Sequence, residues 1–310
     1  MIARALLALL IALALASPAT AAAPPLIGIG EQKPGMFTDP RWERLGLREA
    51  RFITPWDTLH DPRQLERLDT WMEAARAAGT RVLLGLERSL RSDKLRRALP
   101  TDRVFAREFR RLRARYPDVR DWITWNEANH PLQPTANRPR RVARYFGIMV
   151  RNCRGCRIVG ADMLDISNMT SWVRRFARYA TERPRIWGLH NYGDTNQLKS
   201  TGTQTLLRIT GRGQIWFTET GGLVVRREYA GATVKREFRY SQRHAARSTR
   251  HVFKLACVSP RIRRVYLYHW QAPPTVTNWD SAFLGPRGHV RPAYRTLRHQ
   301  LLGGGWDRCH

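Results

Sequence analysis

The chain has 310 residues, of which 43% are hydrophobic and 10% aromatic, enough for one large core or two small ones. Its 54 Lys and Arg against 25 Asp and Glu give a formal charge of +29. The excess is spread along the chain, in RRLRAR, RPRRVAR and SPRIRR, and only five of the basic residues are Lys. With no helix-turn-helix, zinc-finger or RNA-recognition signature, specific nucleic-acid binding is not expected, whereas loose attraction to anionic cell-wall polymers is.

The chain opens MIARALLALLIALALASPATAAAPP, with Arg4, an apolar run from Ala5 to Ala16 and small residues around Ala19 to Ala21. That is the layout of a cleaved secretory signal, and the run is short of the ~20 residues a spanning helix needs. Residues 1–23 are therefore expected to be a signal peptide, and 24–310 a mature, secreted, soluble protein. Losing Arg4 leaves 53 basic against 25 acidic residues.

After the signal one unit recurs: a short apolar strand, a loop, an amphipathic helix. Strands are expected at residues 26–30 (LIGIG), 50–55 (ARFITP), 80–86 (TRVLLGL) and 121–126 (DWITWN). Four more follow at 157–161 (RIVGA), 186–191 (IWGLHN), 214–218 (QIWFT) and 263–269 (RRVYLYH). Among the helices, 61–79 starts at Asp61-Pro62, lines up Leu65, Leu68, Trp71, Met72 and Ala75 on one face, and ends at Gly79. Residues 101–116 and 232–257 read the same way. Eight strands alternating with helices in about 287 mature residues predict the α/β class and a single (β/α)8 TIM barrel, a fold of ~250 residues. An open doubly wound sheet is the alternative, weakened because no Gly-rich phosphate loop follows the first strand.

In a barrel the C-terminal strand ends converge on one pocket. Strand four ends in Asn126 and Glu127, strand six in His190 and Tyr192, strand seven in Glu219, strand eight in Trp270. Two carboxylates are thus delivered to one mouth, as glycoside cleavage requires: one protonates the leaving oxygen, the other attacks or stabilises the anomeric carbon. Glu87 and Asp57 are further carboxylates near that mouth; together with Glu31 they are expected to bind sugar hydroxyls or face solvent.

Asn-Glu ending strand four with Glu ending strand seven resembles the clan A glycoside hydrolases, the retaining group that includes families 5 and 39. ARFITPW is similar to the clan's second-strand segment, with Arg51 in place of the Arg that approaches the nucleophile; Trp56 closes that segment. HNY resembles the sixth-strand segment that supplies a Tyr, here Tyr192, and Trp270 matches the aromatic floor of the sugar site. FLGPRGHVRPAY resembles the endings of many such domains. The resemblance spans the mature chain, although the usual Asn-Glu-Pro is here Asn-Glu-Ala.

The resemblance implies a retaining glycosidase working by double displacement on a poly- or oligosaccharide. Glu219 is the expected nucleophile, anionic beside Arg51 and Tyr192. Glu127 is the expected acid/base, with a pKa raised by an apolar setting near Trp125. Asn126, Arg51, His190, Tyr192, Trp270 and Trp56 are the expected substrate-binding residues. No cofactor or metal is required, and a monomer is expected. The competing reading is a barrel that binds carbohydrate or cell wall without cleaving it.

The four cysteines, in an exported chain, read as structural disulfides. Cys153 and Cys156 are expected to pair locally between a helix and strand five. Cys257, at the end of the helix after strand seven, is expected to pair with Cys309 on the same bottom face.

Overall fold

The apolar runs become strands in a computed structural model of the protein, which describes residues 23–230, 233–275 and 278–303. In chain order they are β1 (Leu26–Gly30), β2 (Glu49–Pro55), β3 (Arg81–Glu87), β4 (Asp121–Ile123), β5 (Arg157–Leu164), β6 (Ile186–His190) and β7 (Gln214–Thr220). Then come β8 (Val225–Ala230), β9 (Thr233–Phe238), β10 (Ile262–Tyr268) and β11 (Trp279–Asp280). β1 to β7 and β10 are parallel and close into a barrel, with Leu26–Gly30 of β1 paired to Arg264–Tyr268 of β10. That closing pair establishes the (β/α)8 barrel and excludes the open sheet.

The helices follow from their caps and apolar faces. Helix Pro62–Ala77 opens on Asp61, whose carboxylate accepts from the Arg63 and Gln64 N–H groups, and it buries Leu68, Trp71, Met72 and Ala75. Helix Asp102–Arg115 opens on Thr101 and buries Phe105, Phe109 and Leu112. The helix expected over 232–257 is corrected. Thr233–Phe238 is a strand antiparallel to β8, and the helix is Gln242–Ala256, capped by Ser241. Thr233 and Val234 are β-branched and the preceding VVRREY supplies a partner strand, so hairpin pairing wins over a helical period that begins only after Tyr240. β11 joins the hairpin in a small sheet of order β11-β8-β9.

Inside the barrel, side chains alternate between the axis and the surrounding helices. Leu83, Ile123, Val159, Ile186 and Trp216 fill the middle of the axis. Below them Arg264 is buried between Asp121 and Glu49, at 2.7 and 3.1 Å, while Arg157 and Arg81 reach the same two carboxylates from the rim. Ion pairs thus seal the lower end and leave the C-terminal end for chemistry.

A Cys153–Cys156 disulfide lies between helix Pro139–Asn152 and β5, at the lower end. Cys257 follows helix Gln242–Ala256 at that same end and is not a free thiol; Cys309 and the signal segment 1–22 lie outside the described residues. Among the described residues, no helix is long and apolar enough to cross a membrane.

Candidate active site

Three backbone irregularities aim the side chains at the mouth. The first is at β4, which leaves its ladder after Ile123. The Asn126 N–H then bonds Leu86 O on the β3 side at 2.7 Å, and the Ala128 N–H bonds Asp162 O on the β5 side at 2.8 Å. Glu127 sits at this crossing with φ 47°, left-handed backbone that costs a non-glycine residue about 1–3 kcal/mol. Strict alternation would turn Asn126 and Glu127 to opposite faces; the break lets both reach the mouth.

The other two irregularities are bulges. Between the pairs Val159–Ile186 and Asp162–Gly188, β5 advances three residues while β6 advances two. Between Gly188–Trp216 and His190–Glu219, β7 advances three against two of β6. Each extra residue shifts the alternation by one and turns Asp162 and Glu219 toward the axis that Val159 and Trp216 already face.

Arg51, wholly buried on β2, ties these elements together. Its Nη1 donates to Glu219 Oε2 at 2.6 Å, and its Nη2 to Asn126 Oδ1 at 2.7 Å, with Asp162 Oδ2 at 3.5 Å. Tyr192 donates its hydroxyl to Glu219 Oε1 at 3.0 Å. Burial, and then the charge of Glu219, push that phenol well above its ordinary value, so it remains a donor. Each Glu219 oxygen is therefore held by a different element.

His190 is also wholly buried. Its Nε2 lies 2.9 Å from Asp162 Oδ2 and its Nδ1 3.3 Å from Glu127 Oε1. A carboxylate only accepts, so both ring nitrogens carry hydrogen; Arg51 Nη2, 3.1 Å from Nε2, serves Asn126 instead. Burial alone would lower the His190 pKa, but Asp162 first, then Glu219 and Glu127, carry it up to about 10.

This corrects the expectation for Glu127. Burial would raise its pKa, but the His190 hydrogen bond and charge, with His130 behind them, hold the carboxyl below its ordinary value. Trp125 turns away, stacking on Tyr145 and donating its indole N–H to Gln133. Facing Glu127 and Glu219, the carboxyl that rises is Glu87, at the end of β3. Burial first, with Glu127 and Glu219 adding against Arg88 and Arg51, pushes it up to about 7.

Arg51, Asn126, His190 and Tyr192 thus converge with Glu127 and Glu219. Trp270 does not join them. It is 2% exposed, edge-on to Trp42 and Tyr294, with its indole N–H on Asp39 Oδ2 at 3.1 Å. β10 ends two residues earlier, and the half-buried Tyr268 takes the place at the mouth; burial, then the charges of Glu219, Glu31 and Glu127, raise its phenol. Trp56 is half-buried just past β2, its backbone N–H on Glu87 O at 3.0 Å. Glu31 and Asp57 do not face solvent. Glu31 is buried and accepts from the Trp270 and Gln271 N–H groups, and Asp57 is buried and accepts from the Ser89 hydroxyl.

Besides Tyr268, two residues enter the site without having been expected. Asp162 has a signal in the sequence, a lone carboxylate inside the buried run RIVGADML. Trp279 has none, because only the β8-β9-β11 sheet brings it edge-on to Tyr192, 4.8 Å between centroids.

One oxygen each of Glu127 and Glu219 and a nitrogen of His190 lie within 4.8 Å of one another, a spacing that suits a metal ion. The charges do not. Arg51 already sits 2.6 Å from Glu219, and an imidazolium at His190 would face any incoming cation. The arrangement suits two carboxylates acting on a bond placed between them.

No protein-family model matches the chain, and no curated protein matches it by sequence. Solved structures do match its fold. GH5_18 from Streptomyces cattleya, in complex with GlcNAc, is 16% identical with a TM-score of 0.61, over 92% of this chain and 81% of that one. A GH128 endo-beta-1,3-glucanase from Amycolatopsis mediterranei, in complex with laminarihexaose, is 14% identical with a TM-score of 0.57, over 90% and 99%. Xylanase XynB from Paenibacillus barcinonensis is 9% identical with a TM-score of 0.62, over 88% and 95%. All three are glycoside hydrolases; at these identities the likeness establishes a shared fold.

Proposed function

We propose that the protein is a secreted glycoside hydrolase that retains anomeric configuration, with Glu219 as nucleophile and Glu127 as acid/base. The observation that supports this is the close approach of the two carboxylates, one oxygen of each within 4.8 Å of the other, which favours the nearer of the two known spacings. Retaining pairs stand ~5–5.5 Å apart, and inverting pairs ~6.5–9.5 Å, to leave room for water. The two also differ as the roles demand. Glu219 is fixed on both oxygens by Arg51 and Tyr192, which aims it at one point. Glu127 keeps one oxygen on His190 and a side chain 27% exposed, so its other oxygen is open to a leaving group. Secretion rests on the amino-terminal signal, and polysaccharide outside the cell is the natural substrate class for such a chain.

In the first step Glu219 attacks the anomeric carbon while a proton on Glu127 goes to the departing oxygen. In the second, Glu127 takes a proton from water, the resulting hydroxide-like oxygen attacks the same carbon, and Glu219 leaves as carboxylate. Asn126, held by Arg51, is placed to bond the sugar hydroxyl next to the reacting carbon.

The test is a panel of β-1,3-glucan, xylan, GlcNAc-containing oligosaccharides and plant, fungal and bacterial walls, scored for reducing ends and for first-product anomer by NMR. Retained product is expected. Glu219→Ala should abolish turnover, whereas Glu127→Ala should spare the first step on dinitrophenyl glycosides, whose leaving group needs little protonation. Inverted product refutes the mechanism, and binding without release favours the non-catalytic barrel.

A further inference from the structure

Asp162 is a buried carboxylate that the two-carboxylate mechanism leaves unused. Its Oδ1 accepts from the Thr218 hydroxyl, its Oδ2 from His190 Nε2 at 2.9 Å, and Arg51 stands 3.5 Å away. The sheet is cut to admit it. A β-carbon on Gly188 would lie 2.3 Å from Asp162 Oδ1, so only glycine leaves room for the carboxylate there. Beyond Asp162 the line continues through the His190 ring to Glu127 Oε1, three groups on β5, β6 and the end of β4 in hydrogen-bonded sequence.

Taking Glu127 as the acid/base, we propose that Asp162 and His190 form a proton store behind it, passing one proton back and forth between His190 Nδ1 and Glu127 Oε1. At rest His190 is an imidazolium and Glu127 a carboxylate. When substrate displaces solvent from the mouth, the proton moves from Nδ1 to Oε1, leaving neutral imidazole and a carboxylic acid. The carboxylic acid then turns so that its proton faces the leaving oxygen, gives it up as the glycosidic bond breaks, and Glu127 is again a carboxylate. It then takes the proton of the attacking water and returns it to Nδ1 when the sugar leaves. The cycle is balanced, and no proton need enter from solvent during the first step. Asp162 touches no substrate. It is a positioning residue that keeps Nε2 protonated, so that only Nδ1 exchanges.

The groups facing this line are Arg51 on β2, Glu87 on β3, His130 in the loop after β4, Glu219 and Thr218 on β7, and Tyr192 and Tyr268 at the mouth. The Asp162 carboxylate is the nearest anion to Nε2, at 2.9 Å, and Asp162→Asn removes that charge at nearly constant shape. The store would then empty at lower pH.

The experiment compares wild type and Asp162→Asn on dinitrophenyl and methyl β-glycosides of the sugar released in the panel. The alkaline limb of kcat/KM for the methyl glycoside should move down by about one pH unit or more, with kcat at pH 8 falling at least about tenfold. KM and the rate on the dinitrophenyl glycoside should change by less than about threefold. Equal losses on both substrates with an unmoved limb would show a merely structural Asp162 and overturn the store. A normal leaving-group contrast for Glu127→Ala beside that outcome would leave the glycosidase reading standing; absence of the contrast would instead remove Glu127 as acid/base. Nitrogen-15 NMR of the wild-type protein needs no variant to fold. Both His190 ring nitrogens should remain protonated through pH 8, and a neutral ring at pH 7 refutes the store.

Discussion

Gly188→Ala tests the architecture of the upper barrel in one methyl group. The new carbon would stand 2.3 Å from Asp162 Oδ1, 2.9 Å from Thr218 Oγ1 and 3.0 Å from Val159 Cγ1. The first is far inside van der Waals contact, and the carboxylate cannot swing away without giving up Thr218 or His190. Overpacking of this kind costs about 1–3 kcal/mol. At about 2.1 cal/mol/K of unfolding entropy per residue, in a chain of this size that is a fall in Tm of roughly 1.5–5 °C. The clash with Asp162 is specific, so Gly188→Ala should cost at least about 0.5 kcal/mol less in an Asp162→Ala background, where only Thr218 and Val159 resist. Thermal and denaturant melts of the four proteins measure the cycle. Gly188→Ala should also shift the alkaline limb in the same direction as Asp162→Asn. Equal cost in both backgrounds would mean that the sheet accommodates the methyl elsewhere, and the argument that Gly188 exists to seat Asp162 would be lost.

Glu87 should make stability and rate sensitive near neutrality. Its folded pKa is raised to about 7 from an ordinary 4.5, so the native state holds a proton that the unfolded chain has released, and stability is lost as pH rises from 4.5 to 7. Glu87→Gln, which cannot ionise, should match wild type near pH 4 and melt higher at pH 8; identical curves at both pH values refute this. The Cys153–Cys156 bridge closes only a short loop at the barrel's lower end, for which the chain-entropy model gives about 2 kcal/mol. Replacing both cysteines with Ser should therefore lower stability by about that much and leave kcat unchanged, and a loss of kcat at full occupancy of the folded state would contradict the placement.

The barrel was readable because its strands are short apolar runs at regular spacing and its helices carry caps, as at Asp61 and Thr101. Pairing information of that kind is local. The hairpin Val225–Phe238 escaped because its charged, partly alternating stretch is compatible with a helix until a partner strand is at hand. At the site, Glu127, Glu219 and Tyr192 were readable as strand-end residues, and Arg51 through the resemblance of its segment ARFITPW. Asp162 was not, because period-two alternation from Val159 points it outward, and only the bulge in β5 turns it in. The pKa order of the carboxyls was invisible for the same reason. Nothing in WNEA indicates that a buried imidazolium will stand 3.3 Å from the glutamate, or that Glu87, not Glu127, will lack such a partner.

Under the proposed glycosidase reading, the charges at the mouth would let a strongly basic protein favour a cationic transition state. Arg51 and His190 are the cations of the upper layer; Asp162, Glu127 and Glu219 are its full anions, and Glu87, raised to about 7, is half ionised at pH 7. Two positive against three negative charges leave one negative charge beside the reacting carbon. An oxocarbenium-like transition state develops positive charge there, so the layer stabilises it more than it does a neutral ground state. The exposed arginines scarcely weaken this, because salt screens surface charge over ~8 Å while the buried groups act at hydrogen-bond distance. A second negative charge, once Glu87 ionises, would hold the Glu127–His190 proton more tightly and slow its release to the leaving group.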